Sequence, residues 1–397
     1  MRAARLAGLW FGIQAVWTAI LGVVLQDRVS ALAPHAVDTF ALLAAGGASL
    51  AAVVQIAAGV LSDRWRGHPG GRRPFYAVGV ALAVPAIVAL PELPSVAWLW
   101  AAILLLQFGM NLAGGPYQAV VGDYIESDRV GRASSWMSAA QFSGSVAGLL
   151  LTTLLHGLVL GIALALCLVV GWAVTDAQAR ALPINARVTT PLRLDRNART
   201  VIGARAAINV GFYTLFGFLF FFVRESLGVA DARTTTGVLF LVFTVAGVFG
   251  AILAGRAADR IDKRVVVTVA GAAIALAVGA FALAPTLPVA LGCGLGAGAA
   301  WGAFFTADWA LAYAVLPRGA LAAAMGVWNL AAAVPQIVAP AITAPLVTAL
   351  DARHAGLGPR AALACVIVEF ALGTAWLWRL PRMAPSAVEG PLDLLDG

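Results

Sequence analysis

Gly59-Val60-Leu61-Ser62-Asp63-Arg64 and Gly255-Arg256-Ala257-Ala258-Asp259-Arg260 are two versions of one phrase, 196 positions apart in a chain of 397 residues. Each closes a long apolar run and opens a basic turn. Arg66, Arg72 and Arg73 follow the first copy, Lys263 and Arg264 the second. A glycine one turn before the acid lets another helix approach closely. The acid can then pair with nearby arginines or cap the start of a helix elsewhere in the bundle. One copy alone would serve equally well as an orientation signal, but two copies at half-length spacing point to a tandem duplication.

The surroundings of the two phrases set the class of protein. The chain is 61% hydrophobic and 11% charged, against roughly 25% charged in soluble proteins, and its mean hydropathy is +0.90. Apolar runs long enough to cross a bilayer as helices, about 20 residues each, follow one another at approximately 6–25, 37–62, 74–91, 95–122, 133–155, 157–175, 200–223, 233–258, 265–284, 288–314, 319–349 and 360–379. An all-α polytopic membrane protein with twelve transmembrane helices is expected. The first run follows Arg2 and Arg5 and reads as an uncleaved span rather than a signal peptide, since eleven more follow and no small-residue cleavage site is evident.

Net charge is +7, yet the basic residues lie in short clusters between apolar runs, where topology accounts for them without a nucleic-acid partner. With the N-terminus in the cytoplasm, 21 of the 26 lysines and arginines fall on cytoplasmic loops and tails and 5 on the other side. Both termini are therefore expected inside, in a plasma-membrane protein. The longest polar connection divides the chain into a first bundle (1–175), a linker (176–199) containing Pro183 and Arg187, a second bundle (200–380) and a tail (381–397). Cys167, Cys293 and Cys365 sit inside apolar runs without metal-ligand spacing and read as small hydrophobes. No cofactor, no metal and no enzymatic constellation is expected: zinc spacing, an activated nucleophile and a nucleotide loop are all lacking in the sequence. Gly292-Cys-Gly-Leu-Gly-Ala-Gly298 reads as a helix-packing face.

The doubled Gly-x-x-x-Asp-Arg with its trailing basic residues resembles the second-to-third-helix loop of the major facilitator superfamily. Gly71-Arg72-Arg73-Pro74-Phe75, Asn111 to Gly115-Pro116 and Asp123, Arg129-Val-Gly-Arg132, Asp308-Trp309-Ala310 and Gly326-Val-Trp-Asn329 to Gln336 are similar to the glycoside-pentoside-hexuronide:cation symporters, particularly their sucrose-transporter-like branch. The resemblance implies two pseudo-symmetric six-helix bundles that rock about a cavity lined by spans 1, 4, 7 and 10 and partly by 2, 5, 8 and 11. It implies a conformational latch of Gly59, Asp63, Arg64, Arg72, Arg73, Asp259 and Arg260, with Asp123, Arg129 and Arg132 completing the charge network around Asp63. A monomer is expected.

Polar residues in these spans keep helical phase. Gln14 and Trp17 share a face of the first, Gln107 and Asn111 of the fourth, Asn209 and Tyr213 of the seventh, and Asn329 and Gln336 of the eleventh, with Gln141 on the fifth and Trp301 on the tenth. An amide facing lipid would leave donors and acceptors unpaired, so these groups face the interior, as substrate ligands or as interhelical glue. Amides beside aromatic platforms suit a hydroxyl-rich solute such as a sugar. No mid-membrane Arg or Lys is evident to hold an anion, which favours an uncharged one.

Coupling needs a titratable group within reach of the cavity. Asp308 is the first candidate proton site, with an ion pair to Arg318 or Arg205 as its alternative; Glu369 is the second, with a hydrogen-bonded structural role as the alternative. The acid that plant members of the resembled branch carry in span four is replaced by Gln107, so that proton site does not carry over. Export of amphipathic compounds and a non-transporting scaffold stay open beside transport of a small polar solute.

Overall fold

Once water is excluded, a run of about 20 apolar residues satisfies its own backbone polar groups only as a helix. In the computed structural model, which describes residues 2–34, 36–181 and 190–382, such runs become twelve long helices. The first half comprises α1 (Arg2–Leu32), α2 (Ala36–Trp65), α3 (Arg73–Glu92), α4 (Val96–Tyr124), α5 (Val130–Leu154) and α6 (Gly157–Arg180). The second comprises α7 (Arg196–Ser226), α8 (Ala232–Arg260), α9 (Lys263–Ala282), α10 (Leu287–Val315), α11 (Arg318–Asp351) and α12 (Leu357–Leu377). Number and order are those expected from the sequence. The helices overrun the predicted ends because polar end turns such as Gln26-Asp27-Arg28 remain helical beyond the apolar run. Helix α6 likewise takes in Asp176 to Arg180 from the expected linker. His35, Pro183, Arg187 and the tail 383–397 lie outside the described residues.

Eleven helices among the described residues are apolar enough to cross a membrane. Helix α5 falls short because Ser134, Ser135, Ser138, Gln141 and Ser145 dilute it, and all five are buried. Polar groups in such number cross a bilayer only when they face protein. Accordingly, α5 packs on α1 within its own half and on α8 of the other.

Within the first half α1 packs on α5 and α6, α2 on α4, and α3 on α4 and α6. Six helices later the same pairings return: α7 on α11 and α12, α8 on α10, and α9 on α10 and α12. Both α1 and α7 contain a π turn, at Ile20–Val24 and Phe222–Ser226. The duplication read from two short phrases thus extends to the packing of two pseudo-symmetric six-helix bundles. Small residues set the closeness within each bundle: a Cβ on Gly79 of α3 would lie 2.5 Å from the Gly109 carbonyl oxygen of α4.

Between the halves the main pairings are also symmetric, α5 with α8 and α2 with α11. Their contacts gather toward the end of the molecule that carries Arg64, Arg66, Arg72, Lys263 and Arg318, called the basic face below.

Candidate functional site

A helix start leaves backbone N–H groups without intrahelical acceptors, and a carboxylate from another helix can take them. The two repeated aspartates do this across the interface between the halves. Asp63, at the end of α2, accepts the N–H groups of Ala322 and Ala323 at 3.2 and 2.9 Å, where the regular turns of α11 begin. Asp259, at the end of α8, accepts those of Gly131 and Arg132 at 2.6 and 3.2 Å, where α5 begins. Close approach makes this possible. A Cβ on Gly59 is 2.7 Å from the Ala322 carbonyl oxygen, and one on Gly131 is 2.6 Å from Asp259 Oδ1. Each half therefore caps a helix of the other, and together the two caps seal the basic face.

Arginines reinforce the caps. Arg72 forms an ion pair through Nη2 with Asp63 at 2.7 Å, and donates from Nε to Asp123 at 2.7 Å and from Nη1 to Ser62 Oγ at 2.8 Å. Burial works against the Arg72 charge, but Asp123 and Asp63 outweigh it and hold the guanidinium above its ordinary value. Arg66 joins Asp123 at 3.1 Å and donates to the Arg318 carbonyl across the interface at 3.2 Å. Arg132 pairs with Asp259 at 2.9 Å. The expected network differs from the observed one at several residues. Asp123 is held by Arg72 and Arg66, not by Arg129 or Arg132. Arg129 is exposed, 3.7 Å from Glu126 and 3.6 Å from Asp128. Arg73 turns away to Asp176 of α6 at 2.7 Å, while Arg64 and Arg260 are exposed.

A direct contrast follows. Arg72→Gln removes the buried cation shared by Asp63 and Asp123, which keep the α11 N–H groups and Arg66 respectively, at a cost of roughly 1.5–3 kcal/mol, and is expected to lower the melting temperature by several degrees in a thermal-shift assay. Arg129→Gln, with no buried partner to lose, is expected to leave it unchanged.

Above the seal lies a cavity of about 260 Å³ between the halves. Gln14 of α1 and Gln141 and Ser145 of α5 give the first half's wall its hydrogen-bonding groups. The second half presents Arg205, Asn209, Tyr213 and Thr244, together with Phe212, Phe216, Phe240, Phe243, Trp301 and Phe305. Phe212 and Trp301 stack at 4.2 Å with 13° between their planes. The first half's wall is mostly polar, with Phe142 beside its amides, and the second half's is largely aromatic.

Five of the ten expected solute-facing residues, Gln14, Gln141, Asn209, Tyr213 and Trp301, line this cavity. Five do not. Trp17 and Gln336 each lie one turn farther from the basic face than a lining residue, Gln14 and Ala332 respectively, and Asn329 lies one turn nearer than Ala332. Gln107 and Asn111 are engaged with one another at 3.1 Å inside α4, with Gln107 packed against Gly47 of α2. Their helical phase was right, but α4 turns that face toward α2.

The absence of an interior cation, expected from the sequence, is overturned. Arg205 of α7 is 4% exposed, lines the cavity and forms an ion pair with Asp308 of α10, itself 3% exposed. Its guanidinium lies over the Trp328 ring at 3.4 Å. In the sequence Arg205 reads as one more loop charge after Arg199 and, beside Arg318, as one of the two alternative partners for Asp308, of which the structure has Arg205. The signal that could have found it is phase, since Arg205, Asn209 and Tyr213 recur every four residues on one face. Glu369 lies behind α7, where it accepts a hydrogen bond from Thr214 at 3.3 Å.

Residues 7–340 match the sequence model of the Major Facilitator Superfamily. No curated protein matches the chain in sequence. The fold is similar to that of a bacterial homologue of the iron transporter ferroportin in its outward-facing state, at 15% identity and TM-score 0.73 over 96% of this chain and 99% of that one. It is similar too to the human organic anion transporter MFSD10, at 14% identity and TM-score 0.70 over 95% and 99%. The E. coli fucose:proton symporter FucP gives 14% identity and TM-score 0.69 over 96% and 98%.

Proposed function

The chain belongs to the major facilitator superfamily, and from that premise we propose that it is a secondary transporter carrying a small polar organic solute by alternating access. The observation that carries this is the pairing of one sealed face with a central cavity. Two symmetric caps hold the halves together on the basic face, and their release would expose the same cavity to the other side. We place the basic face in the cytoplasm, since most of the arginines lie there, and the protein in the plasma membrane as a monomer. The resemblance to the sugar–cation symporter branch and the likeness in fold to a fucose:proton symporter support a hydroxyl-rich, sugar-like solute. So do the amides of Gln14, Gln141 and Asn209 beside Trp301. Lack of an interior cation no longer argues for an uncharged solute, because Arg205 is there.

Export of amphipathic compounds is the second function to weigh. It is favoured by the aromatic wall, where six Phe and Trp side chains of the second half face the cavity. Counterflow in proteoliposomes separates the two. Saturable exchange of small polar solutes, weakened by Gln141→Ala and Asn209→Ala, is the expected result. Extrusion of bulky amphipathic dyes without any polar counterflow would put the second in its place.

A further inference from the structure

Taking the transporter function as its premise, we infer that the solute is a ring-bearing organic anion, held by its carboxylate on Arg205 after Asp308 has taken up a proton. Binding then breaks one ion pair and makes another. Asp308 gains the proton and releases the guanidinium, the solute carboxylate replaces it, and anion and proton cross together.

Three observations carry this. Among the described residues Arg205 is the one Lys or Arg lining the cavity. Asp308, on α10, ties it up when no solute does. A buried pair of this kind costs desolvation on both sides and adds little stability, so its place beside the cavity calls for another role. The second observation is an excess of donors. Arg205 Nε and the indole N–H groups of Trp309 and Trp328, three donors against the one acceptor Asp308 Oδ2, are buried without hydrogen-bond partners, and Trp328 lies against both Arg205 and Trp309. The acceptor that best matches the unpaired guanidinium Nε is a carboxylate, which brings the opposite charge along with its lone pairs, where a sugar hydroxyl brings lone pairs alone. The third is shape. Stacking on Trp328 fixes the guanidinium plane, and the stacked Phe212 and Trp301 offer a flat apolar surface for a ring.

The groups around the pair leave Asp308 as the acid that titrates with binding. Among the described residues Tyr213 is the other ionisable side chain on the cavity wall, and α1, α5 and α8 contribute uncharged Gln14, Gln141 and Thr244 there. From α11 comes Trp328. Lys263 and Arg264 of α9 sit at its first turn on the basic face, with Arg264 held by Asp262. Asp259 of α8 is committed to the cap on α5. Glu369 of α12 is engaged by Thr214 on the far side of α7.

The test uses matched pairs: benzoate with benzamide, and glucuronate with glucose. Their binding to the purified full-length protein is measured by calorimetry in two buffers of different ionisation enthalpy, with proteoliposome flux alongside. Wild type is expected to prefer each acid over its neutral partner, to take up about one proton per anion, and to lose about tenfold in affinity per pH unit as pH rises. Asp308→Asn is expected to bind the acids without proton uptake, and Arg205→Gln to lose the preference for acids. The wild-type proton count needs no variant to fold. Preference for the neutral partners, or acid binding without proton uptake, overturns the inference and leaves the transporter function standing. Absence of binding and flux for every member of both pairs overturns the transporter function and the inference with it.

Discussion

Asp63→Asn is expected to slow initial uptake about tenfold while leaving the solute Kd within about twofold, because it weakens the seal by roughly 1–3 kcal/mol without touching the cavity. The carboxylate does two jobs at once. It accepts two N–H groups at the start of α11 and pairs with Arg72. Asparagine keeps one acceptor oxygen and loses the charge, so the cap and the ion pair both weaken. Arg72 stays paired with Asp123 and does not become an orphan, so the fold survives and the effect is read in turnover. Asp259→Asn is expected to act the same way through α5, where Arg132 is the paired cation. Uptake and Kd measured together decide it: unchanged uptake in both variants at normal expression removes the latch.

Gly131→Val should produce the largest conformational effect, a basic face held open. The added Cβ would stand 2.6 Å from Asp259 Oδ1 and 2.7 Å from the Gly255 carbonyl oxygen, so a side chain there wedges α5 away from α8. Backbone cannot yield as a flexible side chain can, and overpacking of this kind typically costs about 1–3 kcal/mol. The cost falls only on the sealed state, since the clash is between the halves and not within one. A cysteine at Ser135 or Ala258, both buried where α5 meets α8, should then label many times faster than in the parent protein, and solute offered from the opposite face should lose access. Labelling at the parent rate would mean that the halves part elsewhere.

Both predictions concern residues that could be found from the sequence, though their partners could not. Asp63 and Asp259 stand out because a motif at a helix end repeats at half-length. What they bind does not stand out, because the N–H groups of Ala322, Ala323, Gly131 and Arg132 are available for a positional reason, the start of a helix, that side-chain identity does not reveal. Arg129 and Arg132 show the same limit from the other side. They are three residues apart, alike in the sequence and both exposed, yet one meets carboxylates of its own turn and the other reaches Asp259 across the interface. Gln107 and Asn111 share a helix face as expected, but phase names a face without saying which neighbour it meets.

Sequence alone settled what depends on sums and periods along the chain: that the protein is helical and spans a membrane, that there are twelve spans in two related halves, and which loops carry the charge. Hydropathy accumulates over about 20 residues of one segment, so no knowledge of distant parts is needed to read it. Tertiary structure decided which charges meet. Arg205 and Asp308 lie more than a hundred positions apart, and only the packing of α7 against α10 turns an apparent loop charge into the floor of a cavity. The strength of an ion pair depends on separation in space and on the dielectric around it, and neither quantity is written along the chain.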